Sequence, residues 1–241
     1  MTLGTGDFLS AGNAIDPRPI LIVTGLVQEA RIAAGPGMAV ICSSSSPTQL
    51  RALLTVVDPE TIRGVISFGV AGGLDPTLPP GTVIVATAVR VGDASYSTDP
   101  YWTAALRRAL PQAVCGLLAG SDTPVTTVTD KTALHESHGA LAVDMESHIA
   151  ALAAQTHQIP FAALRVVIDP ADRPVPPLAV AGMAADGSTD IGAIVFGLLK
   201  APHQLGGLLR LGRDASAAKS ALSAARHAVG AGFALTALAA A

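Results

Sequence analysis

The chain has 241 residues, half of them hydrophobic, 14% charged and only 3% aromatic, with a formal net charge of −3. That length is enough to bury a large core of Ala, Val, Leu and Ile, and the composition excludes a disordered chain. No basic patch is interleaved with aromatics, which argues against nucleic-acid binding, and no apolar run reaches the roughly 18–20 residues that span a bilayer.

Residues 1–18 read as a loose leader without the basic start and apolar stretch of a secretion signal, so a cytoplasmic location is expected. Short apolar runs at 19–25, 38–42, 64–68, 82–86, 114–118 and 161–168 read as strands. The last is apolar on both alternating faces except at Arg165, the pattern of a strand covered on both sides. Helices are expected over 48–57, after Ser46-Pro47, from Asp99-Pro100 to Leu110, over 145–157, over 186–199 after a Pro-rich loop (170–177), and over 202–229. The alternation predicts one α/β domain spanning 1–241, three-layer α/β/α with a central twisted mixed sheet. Cys42 and Cys115 lie far apart in apolar runs and read as buried free thiols. From Lys200 onward the chain carries a net +4, against −7 before it. This basic helical tail (200–241) is either a solvated face or a contact for an anionic surface.

Three segments at predicted strand ends carry candidate chemistry. Gly69-Val-Ala-Gly-Gly-Leu74 lets the backbone approach a flat ligand, or is a tight structural turn. Asp144-Met145-Glu146-Ser147 opens a helix, where Glu146 either serves the helix dipole or accepts hydrogen bonds from vicinal sugar hydroxyls with Met145 packed on the sugar. Asp169 directly follows a buried strand, where desolvation raises a carboxyl's pKa and prepares it to donate a proton to a leaving group. The alternative is an Asx-type turn before Pro170. His135 and His138 lack a third convergent ligand, so no metal site is expected.

The order and spacing of GVAGGL, VDMES and the R-x-x-x-D-x-A-D run from Arg165 to Asp172 resemble the purine nucleoside phosphorylase and nucleosidase superfamily, from about Ile20 to Asp172. The likeness is greatest to the 5′-methylthioadenosine/S-adenosylhomocysteine nucleosidases. The resemblance implies that Asp169 protonates or hydrogen-bonds the purine, Glu146 holds the ribose hydroxyls, Met145 lines the sugar and Gly72 and Gly73 shape the pocket. It further implies that Arg165 supports Asp169 from below. Glu29 falls near the acid that activates water in the nucleosidases, with Ala30 in that place if the alignment shifts by one residue. Cleavage of an N-glycosidic bond builds positive charge on the sugar and negative charge on the base, so two carboxylates suffice and no cofactor or metal is required.

The chain departs from those nucleosidases at Ser43–Ser46, where they carry a glycine-rich turn. Ser44 and Ser45, with Arg31, are candidates for binding phosphate as co-substrate; the alternatives are a helix cap and an exposed helix arginine. Pro174–Pro177, Asp186–Asp190 and His203–Asp214 resemble the hopanoid-associated phosphorylases, which implies adenosylhopane as substrate and adenine as product. Leu205, Leu208, Leu209 and Leu211 beside Arg210 and Arg213 then form either an interfacial helix at the inner face of the membrane or part of the core. A homo-oligomer is implied by the resemblance. A methylthioadenosine nucleosidase, a purine nucleoside phosphorylase and a non-catalytic nucleoside-binding protein are the competing readings.

Overall fold

A computed structural model describes residues 16–181, 201 and 204–235. Most of the expected leader, the expected helix 186–199 and the Asp186–Asp190 motif lie outside the described residues.

The apolar runs become strands because every side chain in them finds cover. In β1 (Ile20–Thr24) all five residues are buried. It pairs in parallel with β2 (Met38–Cys42) on one edge and β3 (Gly64–Gly73) on the other. β3 also pairs in parallel with β8 (Phe161–Asp169) and, at Gly72 and Gly73, antiparallel with β7 (Ala142–Asp144). β6 (Val114–Gly120) joins β7 to β4 (Val83–Val91), and β4 returns to β8. Strands β3, β7, β6, β4 and β8 thus close a circuit, leaving β1–β2 on one side and β5 (Ala94–Ser97) on the other as edges.

Helices cover both faces, as expected for three layers. The local sequence starts them: Ser46 caps α2 (Pro47–Thr55), accepting from the Gln49 N–H at 3.2 Å, and Asp99 caps α3 (Pro100–Ala109), accepting from the Trp102 N–H at 2.7 Å. On one face Leu50 of α2 and Ile149 and Ala150 of α5 (Ser147–Thr156) pack with Val23, Ala163 and Val167. On the other, Trp102 and Leu106 of α3 and Leu222 of the long C-terminal helix, here α7 (Leu205–Ala228), pack with Ile22, Phe68 and Leu164.

Several expectations need correction. Gly69–Gly73 is not a loop but the last half of β3, held by pairing to β7 and β8. Two helices lie outside the expected helical spans, α1 (Val27–Ala33), which makes Arg31 the exposed helix arginine, and α4 (Val128–His138), and β5 and the three-residue β7 lie outside the expected strands. The Pro-rich loop ends in a short helix, α6 (Pro177–Ala181). Cys42 and Cys115 are free thiols, but each is only half-buried. The leucines at the start of α7 do not enter the core: Leu205 and Leu209 are 48% and 57% exposed, and the helix buries itself further on, at Ala218, Leu222 and Ala225. No described helix is long and apolar enough to cross a membrane.

Candidate active site

Two groups of charged side chains converge on the end of β3. The first is centred on Arg165, which is fully buried on β8. Its Nη2 lies 3.2 Å from Asp144 Oδ1 and 3.3 Å from Glu146 Oε2, its Nη1 donates to the Val70 carbonyl at 3.2 Å, and its Nε donates to Ser147 Oγ at 3.3 Å. Ser67 Oγ takes a further bond from Nη2. Removing so many charges from water is tolerable because each has partners.

Asp144 organises the turn that presents Glu146: its Oδ1 accepts from the Glu146 and Ser147 N–H groups at 2.9 and 2.6 Å, anchoring the start of α5. Glu146 is buried, 3.5 Å from Ser43 Oγ, with Met145 half-buried beside it in the same turn. Burial pushes its pKa up to about 7; Arg165 opposes the shift, and Asp144 and Glu29 reinforce it. A Cβ on Gly25 would stand 2.6 Å from Glu146 Oε1, so that position has room only for glycine.

Glu29 belongs to the same cluster, and its surroundings change how it must be read. Its Oε2 accepts from the Gly25 and Leu26 N–H groups at 2.9 and 2.8 Å, and its Oε1 from the Val70 N–H at 2.7 Å. The carboxylate therefore ties the turn after β1 to β3, against Gly69, where a Cβ would lie 2.5 Å away. Burial raises its pKa, partly countered by Arg165 and these three N–H groups. Three of its four lone-pair directions are occupied by backbone donors, which fixes the carboxylate between the turn after β1 and β3.

The second group surrounds Asp169. Gly72 and Gly73 border it: a Gly72 Cβ would be 3.5 Å from Asp169 Oδ1, and a Gly73 Cβ would be 3.0 Å from the Asp169 carbonyl. Asp169 Oδ2 is paired with the ammonium of Lys131 on α4. Lys131 is fully buried and also donates to the carbonyls of Pro170 at 2.8 Å and Arg173 at 3.1 Å. Burial raises the Asp169 pKa, with Lys131 pulling the other way. Arg165 is not its support, contrary to expectation: the guanidinium turns to Asp144 and Glu146 instead. The cause is a register shift on β8, where Val167 pairs with Ala71 but Asp169 with Gly72, leaving Ile168 as an extra residue. Such a bulge re-aims the side chains beyond it.

Asp169 lines a cleft of ≈ 380 Å³ walled by the 170–177 loop and the start of α7, including Gln204, Leu211 and Asp214. Arg173 crosses between those walls, with its Nη2 3.0 Å from Asp214 Oδ2. A second cleft of ≈ 380 Å³, lined by Tyr96, Asp99 and Gln155, sits at the start of β8 and not at the end that carries Asp169.

The phosphate candidates are not gathered at one point. Ser44 and Ser45 adopt left-handed backbone conformations (φ 51° and 56°), and the Ser45 N–H donates to the Gly25 carbonyl at 2.9 Å. Arg31 is exposed in the last turn of α1, and no contact joins it to either serine among the described residues. Among the described residues no group of three or more His, Cys, Asp or Glu could hold a metal.

A half-buried acid beside glycines, a second, buried carboxylate near a turn methionine and a mixed, partly closed sheet accompany a family match that makes the chain a nucleoside-cleaving enzyme of nucleosidase or phosphorylase type. The chain belongs to the phosphorylase superfamily, whose family model matches residues 16–200. Its fold is that of the methylthioadenosine/S-adenosylhomocysteine nucleosidase from Colwellia psychrerythraea in complex with adenine (TM-score 0.61, 19% identity, 76% of this chain and 96% of that one). The futalosine hydrolase of Helicobacter pylori is similarly placed (TM-score 0.60, 18% identity, 75% and 98%). So is the S-adenosylhomocysteine nucleosidase from Streptococcus pyogenes with 5-methylthiotubericidin (TM-score 0.59, 20% identity, 67% and 86%).

Proposed function

We propose that this protein releases adenine from a 5′-substituted adenosine, with adenosylhopane, in hopanoid biosynthesis, as the preferred substrate. The observation that carries the reading is the position of Asp169: a half-buried carboxyl of raised pKa, next to two glycines, lining an open cleft. A purine beside Gly72 and Gly73 takes a proton on its ring from Asp169, and the electron pair of the breaking glycosidic bond passes into the base. Glu146 accepts from the ribose hydroxyls and Met145 packs on the sugar.

The lipid-bearing substrate is favoured by the cleft wall. Its α7 side includes Gly207, Arg210 and Leu211, and outside that lining the same first turns carry the exposed Leu205 and Leu209, which can meet a membrane surface. A small 5′ substituent does not require that surface. Phosphate as nucleophile is taken from the likeness to the hopanoid-associated phosphorylases; it needs no general base, and its binding does not rest on Ser44, Ser45 and Arg31, which are not gathered at one point. Attack of a phosphate oxygen at C1′ then yields adenine and a ribosyl-1-phosphate.

The test is adenine release from adenosylhopane and from methylthioadenosine, each with and without phosphate. The proposal expects phosphate-dependent release, faster with adenosylhopane. Preference for methylthioadenosine returns the chain to the small-substrate reading, and no release from either contradicts cleavage.

A further inference from the structure

The geometry points to Lys131 as a positioning residue that clamps the Asp169 carboxylate and supplies the fixed positive charge against which Asp169 gives up its proton. This inference rests on Asp169 as the acid.

Lys131 is the one fully buried residue of α4, whose other residues are half-buried or exposed, and nothing about core packing calls for a lysine there. Its Nζ has three acceptors: Asp169 Oδ2, the Pro170 carbonyl and the Arg173 carbonyl. An ammonium has three N–H donors, so all three acceptors are satisfied only by the charged form. A neutral amine would leave one oxygen facing a lone pair. Lys131 therefore keeps its proton and is not the group that passes it on.

A charge fixed in this way acts on Asp169 alone and at one oxygen. Oδ2 is taken by Lys131, while Oδ1, with no such partner, lies 3.5 Å from where a Gly72 Cβ would stand, and the residue itself lines the cleft. The protonated form thus presents its hydrogen on Oδ1, the oxygen Lys131 does not hold. Once the proton has moved to the base, the carboxylate left behind is balanced by the ammonium already in contact. Burial raises the Asp169 pKa, and Lys131 limits how far that goes. The two effects together set an acid strong enough to donate. The same ammonium holds the Pro170 and Arg173 carbonyls, so the loop walling the cleft is fixed to the acid it serves.

The test uses Lys131→Gln, whose amide still donates to a loop carbonyl while the charge is gone, and Lys131→Arg, which keeps the charge. The Asp169 carboxyl is titrated directly by 13C NMR of Asp-labelled protein, its resonance assigned by its loss in Asp169→Asn. In Lys131→Gln the midpoint rises by about 1–3 pH units, the size expected for losing an adjacent opposite charge, and in Lys131→Arg it stays near wild type. The alkaline limb of kcat moves upward with it. Because Lys131 acts through Asp169, Lys131→Gln costs nothing further in kcat when added to Asp169→Asn, a pair that also removes both buried charges and so tolerates folding. An unchanged midpoint in Lys131→Gln, or losses that multiply in the double variant, overturns the role of Lys131. Full activity of Asp169→Asn instead overturns the assignment of the acid, with the titration still measuring Lys131.

Discussion

Glu146→Gln gives the sharpest test of the buried charge cluster. Glu146 sits among Asp144, Glu29 and Arg165, and burial lifts its pKa from 4.5 to about 7. The native state therefore binds a proton more tightly than the unfolded chain across that interval. A raised carboxyl pKa contributes stability that is full below the unfolded value and is lost as pH rises through the folded one. At about 1.4 kcal/mol per pH unit, the contribution of Glu146 is roughly 3 kcal/mol between about pH 4 and pH 8. Urea unfolding of wild type and Glu146→Gln across that range measures it. Glutamine does not titrate, so wild-type stability should fall more steeply with rising pH, by about that amount. Parallel curves for the two proteins would refute the raised pKa of Glu146.

Other consequences follow from single contacts. Asp169→Asn should lower kcat by about 10²–10⁴-fold with an unchanged far-UV CD spectrum, the usual cost of losing a general acid. Arg165→Met leaves Asp144, Glu146 and Glu29 without their shared cation and should cost about 3–5 kcal/mol in chemical denaturation. Gly69→Ala drives a Cβ to 2.5 Å from a Glu29 carboxylate that three N–H groups hold in place; a loss of about 1–3 kcal/mol by thermal melting is expected. Gly212→Ala on α7 meets nothing within 4 Å and should instead stabilise the protein by roughly 0.5–1 kcal/mol.

What the sequence reveals and what it hides have separate physical causes. Runs such as Ile20–Thr24 and Phe161–Asp169 are legible because strands covered on both faces must be apolar at every position. Helices α2 and α3 are announced by Ser46-Pro47 and Asp99-Pro100. The helix α4 has no apolar stripe, since the residue it buries fully is a lysine, and so neither the helix nor the partner of Asp169 shows in the pattern. β7 is three residues long and exists through its pairing with Gly72 and Gly73 and with β6.

Arg165 is the instructive case. Four residues before Asp169 on one strand, it belongs on the same face by strict alternation. The bulge at Ile168 breaks that parity, sending Arg165 toward α5 and Asp169 toward α4 and the α7 cleft. A bulge is a property of the pairing with β3 and not of the β8 sequence. Glu29 shows a related limit: a glutamate after β1 is visible as a candidate base, but the three N–H groups that occupy it come from Gly25, Leu26 and, on another strand, Val70.

The central claim is cleavage of a purine–ribose bond with Asp169 as the acid. Adenine release from adenosylhopane in the presence of phosphate, followed for wild type and Asp169→Asn side by side, addresses it most directly. The account predicts adenine from the wild type and a rate reduced at least about 100-fold in the variant. Equal rates for the two folded proteins would contradict it.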